Sequence, residues 1–196
     1  IGKNYVNHAK EMGSEIPKEP LFFLKPDSAI LPKKHPFFIP DFSKEIHYEL
    51  ELLIKIKKLG KHIGKKFASS YYSEIGLGID FTARDLQNEC KINGHPWEKA
   101  KAFDHSAVIG STFYSINNLN EIHFELKKNG NLVQQGNAND MVFNFDDIIH
   151  HVSKFMTLKI GDIIFTGTPE GVGPVKIGDY LEGFLNGNKI IDLNIK

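Results

Sequence analysis

One cysteine, Cys90, is all that the 196 residues carry, so no disulfide can form within the chain. A lone thiol suits a reducing compartment, and cytoplasmic residence is the expectation that follows. Excess charge is missing too. Lysine plus arginine balances aspartate plus glutamate at 24 each, which leaves no electrostatic footprint for nucleic acid or an anionic membrane. A basic run does occur at Lys55, Lys57, Lys58, Lys61, Lys65 and Lys66. No aromatic side chain interleaves its centre, and it reads as a solvated strand end and loop. No apolar stretch approaches the roughly 20 residues that span a bilayer. The chain starts at Ile1 rather than methionine, so a targeting segment upstream is left open. Repeats, low-complexity tracts and linkers are also lacking. The length suits a single domain, residues 1–196, able to bury a full core.

What is present is dominated by strand patterns. Residues 21–24, 37–39, 47–57, 75–81, 122–127, 132–137, 163–166 and 180–195 are β-rich. Asn129-Gly130 and Asn186-Gly187 mark hairpins, because Asn-Gly supplies the positive φ values of a type I′ turn. Helical patterns are fewer. Residues 4–12 begin with Asn4 as a possible cap, residues 84–91 are short and polar, and residues 145–156 carry an apolar stripe through Phe145, Ile148, Ile149, Val152 and Phe155. Helices scattered irregularly among many strands argue for an α+β fold rather than a regular βαβ array.

The most informative strand runs from His47 to Lys57. Alternation puts Tyr48, Leu50, Leu52, Ile54 and Ile56 on one face and His47, Glu49, Glu51, Leu53, Lys55 and Lys57 on the other. Residues on one side of a strand sit roughly 6.5–7 Å apart, so Glu49 and Glu51 can converge on one cation and repel each other without it. The same pattern also fits a half-exposed amphipathic strand. Asp80 adds a third carboxylate, near the end of the apolar strand Gly76-Leu77-Gly78-Ile79, where an unpaired charge is costly. A helix cap or a partnership with Arg84 would explain Asp80 as well. Taken together, the three form a hard oxygen site suited to Mg²⁺, Mn²⁺ or Ca²⁺ rather than zinc. Gly167-Thr168-Pro169-Glu170-Gly171 follows a strand and offers backbone amides and a hydroxyl to a carboxylate, unless it is a plain turn.

Several segments then fall in an order that resembles the fumarylacetoacetate hydrolase family, in its single-domain acylpyruvase and oxaloacetate decarboxylase branch. They are Gly2-Lys3-Asn4-Tyr5 with His8 and Glu11, Phe22-Phe23-Leu24-Lys25-Pro26, His47-Tyr48-Glu49-Leu50-Glu51, Asp80-Phe81-Thr82-Ala83-Arg84-Asp85-Leu86-Gln87, Trp97 to Asp104, and Gly167 to Pro174. The resemblance covers nearly the whole chain. It implies a mixed β-roll, sandwich-like fold with a few short helices, usually dimeric. It implies Mg²⁺ or Mn²⁺ on Glu49, Glu51 and Asp80, a catalytic pair at His8 and Glu11, and substrate contacts from Lys101 and Gln87. Thr168 and Gly167 complete the expected substrate contacts. Residues 8–20 combine a short helix with Gly13, Ser14 and Pro17, and are expected to act as a mobile lid.

The substrate class so implied is a small 2-oxo acid with an acyl or carboxyl group at C3. A divalent ion that chelates the C1 carboxylate and C2 ketone stabilises the enolate left when that group departs. Acylpyruvate hydrolysis further needs an activated water. His8 and Glu11, three apart, share one face of a helix, so Glu11 can orient the imidazole and His8 can take the proton. Two other readings stand beside this one. The same metal site would serve an isomerase or tautomerase of a dicarboxylic 2-oxo acid. A structural Ca²⁺ site in a non-enzymatic module would leave His8, Glu11 and Lys101 without a task. Arg84 is expected to be structural, tied to Asp80 or Asp85.

Overall fold

A computed structural model describes residues 1–115 and 122–196. In chain order the strands are β1 (Ile46–Tyr48), β2 (Leu50–Lys55), β3 (Glu74–Asp80), β4 (Thr82–Ala83), β5 (Ala107–Ile109) and β6 (Tyr114–Ser115). They continue as β7 (His123–Lys128), β8 (Asn131–Asn137), β9 (Ile163–Phe165), β10 (Gly173–Pro174), β11 (Tyr180–Leu185) and β12 (Asn188–Asn194). The helices are α1 (Val6–Glu11), α2 (Lys65–Ala68), α3 (Arg84–Asn93), α4 (Glu98–Lys101) and α5 (Phe145–Phe155).

The strand expected over residues 47–57 is two strands, broken at Glu49. Its second half has no polar face. Leu50, Glu51, Leu52, Leu53 and Ile54 are all buried, because β2 lies in the middle of a sheet ordered β5-β3-β2-β9 with both faces covered. β6 pairs with the start of β3, and all these pairings are antiparallel. Register places Glu51 opposite Gly78. A Cβ at Gly78 would come within 2.6 Å of the Val108 carbonyl and 2.8 Å of the Phe165 ring, so only glycine lets β3 lie this close to its neighbours.

A second sheet, β12-β11-β7-β8, is made of two hairpins. Asn129 and Gly130 (φ 53° and 80°) and Asn186 and Gly187 (φ 47° and 77°) form their turns, as the Asn-Gly pairs predict. The second turn divides the region 180–195 into two strands. Gly183 of this sheet packs on Leu77 of β3, which joins the two sheets across one apolar core. The third sheet, β10-β1-β4, brings residues before Glu49 and after Asp80 together.

Other local expectations shift. Residues 21–24 form no strand; only Leu21 bridges to Gly2, and the side chains beyond it turn to tertiary partners. Residues 37–39 contribute a single bridge, Phe37 to Ile195. Lys65 and Lys66 of the basic run belong to α2, which packs on α5. Asn4 is not the cap of α1, whose N-cap is Tyr5. Its buried amide donates to the carbonyls of Phe143 (3.0 Å) and Thr166 (2.7 Å) and accepts from Phe143 N–H (2.7 Å), which ties the start of the chain to the loop after β9.

Candidate active site

Asp80 ends β3, Glu51 lies in β2, and Glu49 occupies the break between β1 and β2, where Asp80 N–H donates to the Glu49 carbonyl at 2.8 Å. An oxygen from each of the three carboxylates lies within 4.8 Å of those of the other two. All three residues are at most 5% exposed. Among the described residues no other group of histidine, cysteine or carboxylate side chains converges in this way, His105, His123, His150 and His151 included.

Cations meet this cluster from two sides. Lys101, at the end of α4, donates to Glu49 Oε2 (2.7 Å), Asp80 Oδ2 (2.8 Å) and Thr82 Oγ1 (2.5 Å), which uses all three ammonium protons. Lys25 Nζ lies 2.8 Å from the other oxygen of Asp80, in an ionic contact without hydrogen-bond alignment. It also donates to Ser106 Oγ (2.8 Å) and to the Lys101 carbonyl. Arg84, at the start of α3, donates to Glu49 Oε1 (2.6 Å) and Gln87 Oε1 (2.7 Å). Its carboxylate partner is therefore Glu49, not Asp80 or Asp85. Asp85 faces away and accepts from Ser43 Oγ (2.6 Å) and Lys44 N–H (2.9 Å).

The three acids do not share these cations equally. Burial would raise Glu49, yet Lys101 and then Arg84 hold it well below the usual carboxylate range. Burial would lower the Lys101 ammonium, but Asp80 and Glu49 hold it above the ordinary lysine value. Glu51 accepts only from Gly167 N–H (2.5 Å), and no lysine or arginine among the described residues reaches it. Burial, with Asp80 and Glu49 adding to it, pushes Glu51 up to about 8. The Ile1 ammonium and Lys101 oppose this shift without cancelling it, so the trio is short of positive charge at Glu51, and a divalent ion fits what is short.

His8 lies on α1 and is 7% exposed. Its Nδ1 is 3.1 Å from Glu11 Oε2, while Glu11 Oε1 accepts from Gly171 N–H at 3.1 Å. With Nδ1–H turned to the carboxylate, the other ring nitrogen is the one left to accept a proton. A recess is lined by His8, Glu49, Arg84, Gln87, Lys101 and Thr168, with Phe23 and Trp97 beside them. All four expected catalytic side chains except Glu11 reach this recess directly, and Glu11 reaches it through His8.

The loop after β9 is used differently from the expectation. The amides of Gly167 and Gly171, expected to be offered to a bound carboxylate, are taken by Glu51 and Glu11. Gly167 has φ +104°, and a Cβ there would fall 2.7 Å from that of Asn4, so the turn that delivers its N–H to Glu51 is open only to glycine. Sequence reasoning passed over Lys25, although it stands in the Phe-Leu-Lys-Pro segment. A lysine flanked by apolar residues and proline was the available signal.

Comparison with known proteins agrees with this arrangement. The chain is 42% identical over 190 residues to the oxaloacetate tautomerase FAHD1, mitochondrial, of Bos taurus, covering 95% of this chain and 86% of that one. It is also 42% identical over 190 residues to the oxaloacetate decarboxylase, mitochondrial, of Dictyostelium discoideum, covering 95% and 87%. The fold matches the crystal structure of fumarylpyruvate hydrolase from Pseudomonas aeruginosa in complex with Mn²⁺ and pyruvate, with a TM-score of 0.91, 34% identity and coverage of 99% and 86%. Residues 1–195 match the family described as fumarylacetoacetate (FAA) hydrolase C-terminal, and with these relatives the chain belongs to the fumarylacetoacetate hydrolase family.

Proposed function

We propose that the protein is a divalent-metal-dependent enzyme that cleaves the C–C bond to C3 of small 2-oxo acids, by acylpyruvate hydrolysis and oxaloacetate decarboxylation. The observation that carries this reading is that Glu49 and His8 line one recess, Glu49 joined to Glu51 and Asp80 in the carboxylate cluster and His8 bonded to Glu11. In this reading Glu49, Glu51 and Asp80 hold Mg²⁺, with Mn²⁺ or Ca²⁺ as substitutes. When bound, the ion supplies positive charge for the oxygens of the 2-oxo acid and for the enolate that forms as the C3 substituent leaves.

The chain's own residues supply the rest. Glu11 holds His8 in the tautomer whose free nitrogen removes a proton from water aimed at the distal acyl carbon. Lys101 keeps its charge in the recess and orients Glu49 and Asp80. Gln87, fixed through its oxygen by Arg84, has its amide protons left for a substrate oxygen or water. The Thr168 hydroxyl meets a substrate carboxylate, and Gly167 acts by fixing Glu51. Residues 8–20 close over the bound acid and exclude bulk water.

A second reading is tautomerisation of a dicarboxylic 2-oxo acid, and the relative named oxaloacetate tautomerase supports it. His8 would then carry a proton between C3 and the C2 oxygen without water attack. Pyruvate release measured beside loss of enol absorbance, after chelation and metal add-back, separates the two. Enol loss without pyruvate from any acylpyruvate or from oxaloacetate would leave tautomerisation alone. A homodimer in a reducing compartment belongs to the same proposal, the compartment supported by the free thiol of Cys90. Cytoplasmic residence rests on that thiol alone, since the two named relatives are mitochondrial proteins. Among the described residues no helix is long and apolar enough to cross a membrane.

A further inference from the structure

Gln134 lies on β8, in a different sheet from the carboxylates, and is 2% exposed. Its side chain is fully bonded. Leu50 N–H donates to Oε1 at 2.9 Å, and Nε2 lies 2.9 Å from Thr168 Oγ1 and 3.0 Å from the Pro169 carbonyl. An amide can be turned end for end in a structure, but not here. Leu50 N–H can only donate and the Pro169 carbonyl can only accept, so oxygen must face the first and nitrogen the second. Nε2 has two protons, and of its three acceptors the near ones, Thr168 Oγ1 and the Pro169 carbonyl, take them ahead of the Glu170 carbonyl at 3.5 Å. Thr168 is therefore an acceptor toward Gln134.

This constrains the hydroxyl. Thr168 is 3% exposed and lines the recess, and no group among the described residues accepts its proton. With one lone pair engaged by Gln134, the O–H is free to point into the recess, toward the space shared by His8, Lys101 and Gln87. The proton cannot point at Gln134, whose Nε2 has no lone pair to accept it, so it is available to the recess beside the hydroxyl's second lone pair.

We infer that Gln134 is a positioning residue that keeps the Thr168 proton turned away from itself and presented to an anionic, accepting oxygen of the substrate. The inference rests on the reading of the recess as a 2-oxo acid site and adds to it a residue outside the recess. The group that fits against the Thr168 proton is a carboxylate or enolate oxygen. Through Leu50, the same amide satisfies the backbone N–H at the strand break beside Glu49, so Gln134 links the carboxylate strand to the substrate loop.

The test is a double-mutant cycle on the full chain loaded with Mn²⁺, with pyruvate as the probe and Mn²⁺ affinity measured separately. Gln134→Glu keeps an acceptor for Leu50 N–H but removes the donor to Thr168. Gln134→Met removes the donor without adding charge. Both are expected to weaken pyruvate binding about tenfold or more, the scale of a lost hydrogen bond to a charged group, and to leave Mn²⁺ affinity within about twofold. Thr168→Val should weaken pyruvate to the same extent, and Gln134→Glu, which keeps the acceptor for Leu50 N–H, should then cost nothing further. Thr168→Ser, which keeps the hydroxyl, should bind as wild type does. An additive loss from Gln134→Glu in the Thr168→Val background would overturn the inference, as would wild-type pyruvate affinity in both Gln134 variants. A wild-type protein that takes up Mn²⁺ and never holds pyruvate would overturn the reading of the recess and the inference together, whereas the other outcomes leave that reading in place.

Discussion

The floor and the cover of the recess are built to opposite standards. The floor is formed by Glu49 and Lys101, with Glu51 and Asp80 joined to them in the carboxylate cluster, all at most 5% exposed and set on β2, β3, the strand break and α4. Moving any one of them breaks a charge-assisted hydrogen bond or leaves a buried ion unpaired. The cover is α1 and the residues that follow. This helix has six residues and no side-chain cap, a length that does not hold a helix in isolation. Beyond it residues 13, 15, 16, 18 and 19 are exposed, Ile16 at 44%. The groups that set charge thus sit where motion is costly, whereas the proposed proton carrier, itself buried, leads into a largely exposed segment. A metal site needs a fixed geometry, whereas a site that admits substrate and releases product needs one wall that opens.

The largest expected effect removes the floor. Glu51→Gln keeps the shape of the side chain but withdraws one charge from the trio. Hydrolysis and decarboxylation should fall together, by about 10⁴-fold or more, because a bound cation contributes several kcal/mol of charge stabilisation. Calorimetric titration of Mg²⁺ and both assays report this. Retention of either activity with metal affinity lost would separate the metal from the chemistry.

His8→Ala tests the cover and should be smaller and selective. Imidazole is not among the carboxylate ligands, so metal affinity should persist. Acylpyruvate hydrolysis should fall roughly 10²–10⁴-fold, the usual scale for a general base, and oxaloacetate decarboxylation, which needs no water attack, should fall less. The informative quantity is the ratio of the two rates. An unchanged ratio with both rates near wild type would remove His8 from the mechanism.

Smaller again is the effect of pH on the floor. The Glu51 carboxyl stands at about 8 in the metal-free protein against its ordinary 4.5. Between those values the folded chain holds a proton that the unfolded chain has released. That contribution to stability is full below 4.5 and is lost as pH rises through 8. Metal binding needs the ionised form. At pH 7 uptake should release close to one proton, and affinity should rise about tenfold per pH unit until it levels near 8. Titration in two buffers of different ionisation enthalpy counts the protons. No release at pH 7 would mean that Glu51 is already ionised before metal arrives.

How much of this was legible beforehand follows from the range over which each feature is determined. The Asn-Gly turns are local, and they stand where the sequence puts them. The three carboxylates are legible because acids amid leucine and isoleucine need a reason to be there. The break at Glu49 is not legible, since alternation assumes an unbroken ladder and the acceptor for Leu50 N–H is Gln134, 84 positions away. The partner of Arg84 is not legible either. Asp80 and Asp85 are nearer in sequence, but Lys25 and Lys101 claim the first and Ser43 the second. Helix α4 is four residues long, too short for periodicity to register, yet it delivers Lys101.

The smallest effect is also the most direct measure of the contrast between floor and cover. Two side-chain contacts tie the catalytic end of α1 to the loop after β9: Asn7 Nδ2 donates to Glu170 Oε1, and Glu11 accepts from the Gly171 amide. Glu11 is one-third exposed, so its bond competes with water and contributes little to stability. Further along, His151 Nδ1 lies 3.9 Å from the exposed Glu19, too far for a firm bond. Amide exchange should therefore be fast across residues 12–20 and slow across β2 and β3 in the metal-free protein. Adding Mg²⁺ alone should protect the strands further and leave residues 12–20 nearly unchanged, because the ion touches only the floor. Adding a non-reacting 2-oxo acid analogue such as oxalate with Mg²⁺ should slow exchange in residues 12–20 as well, since the acid is what the cover closes on. Equal protection of residues 12–20 in all three states would show a fixed wall.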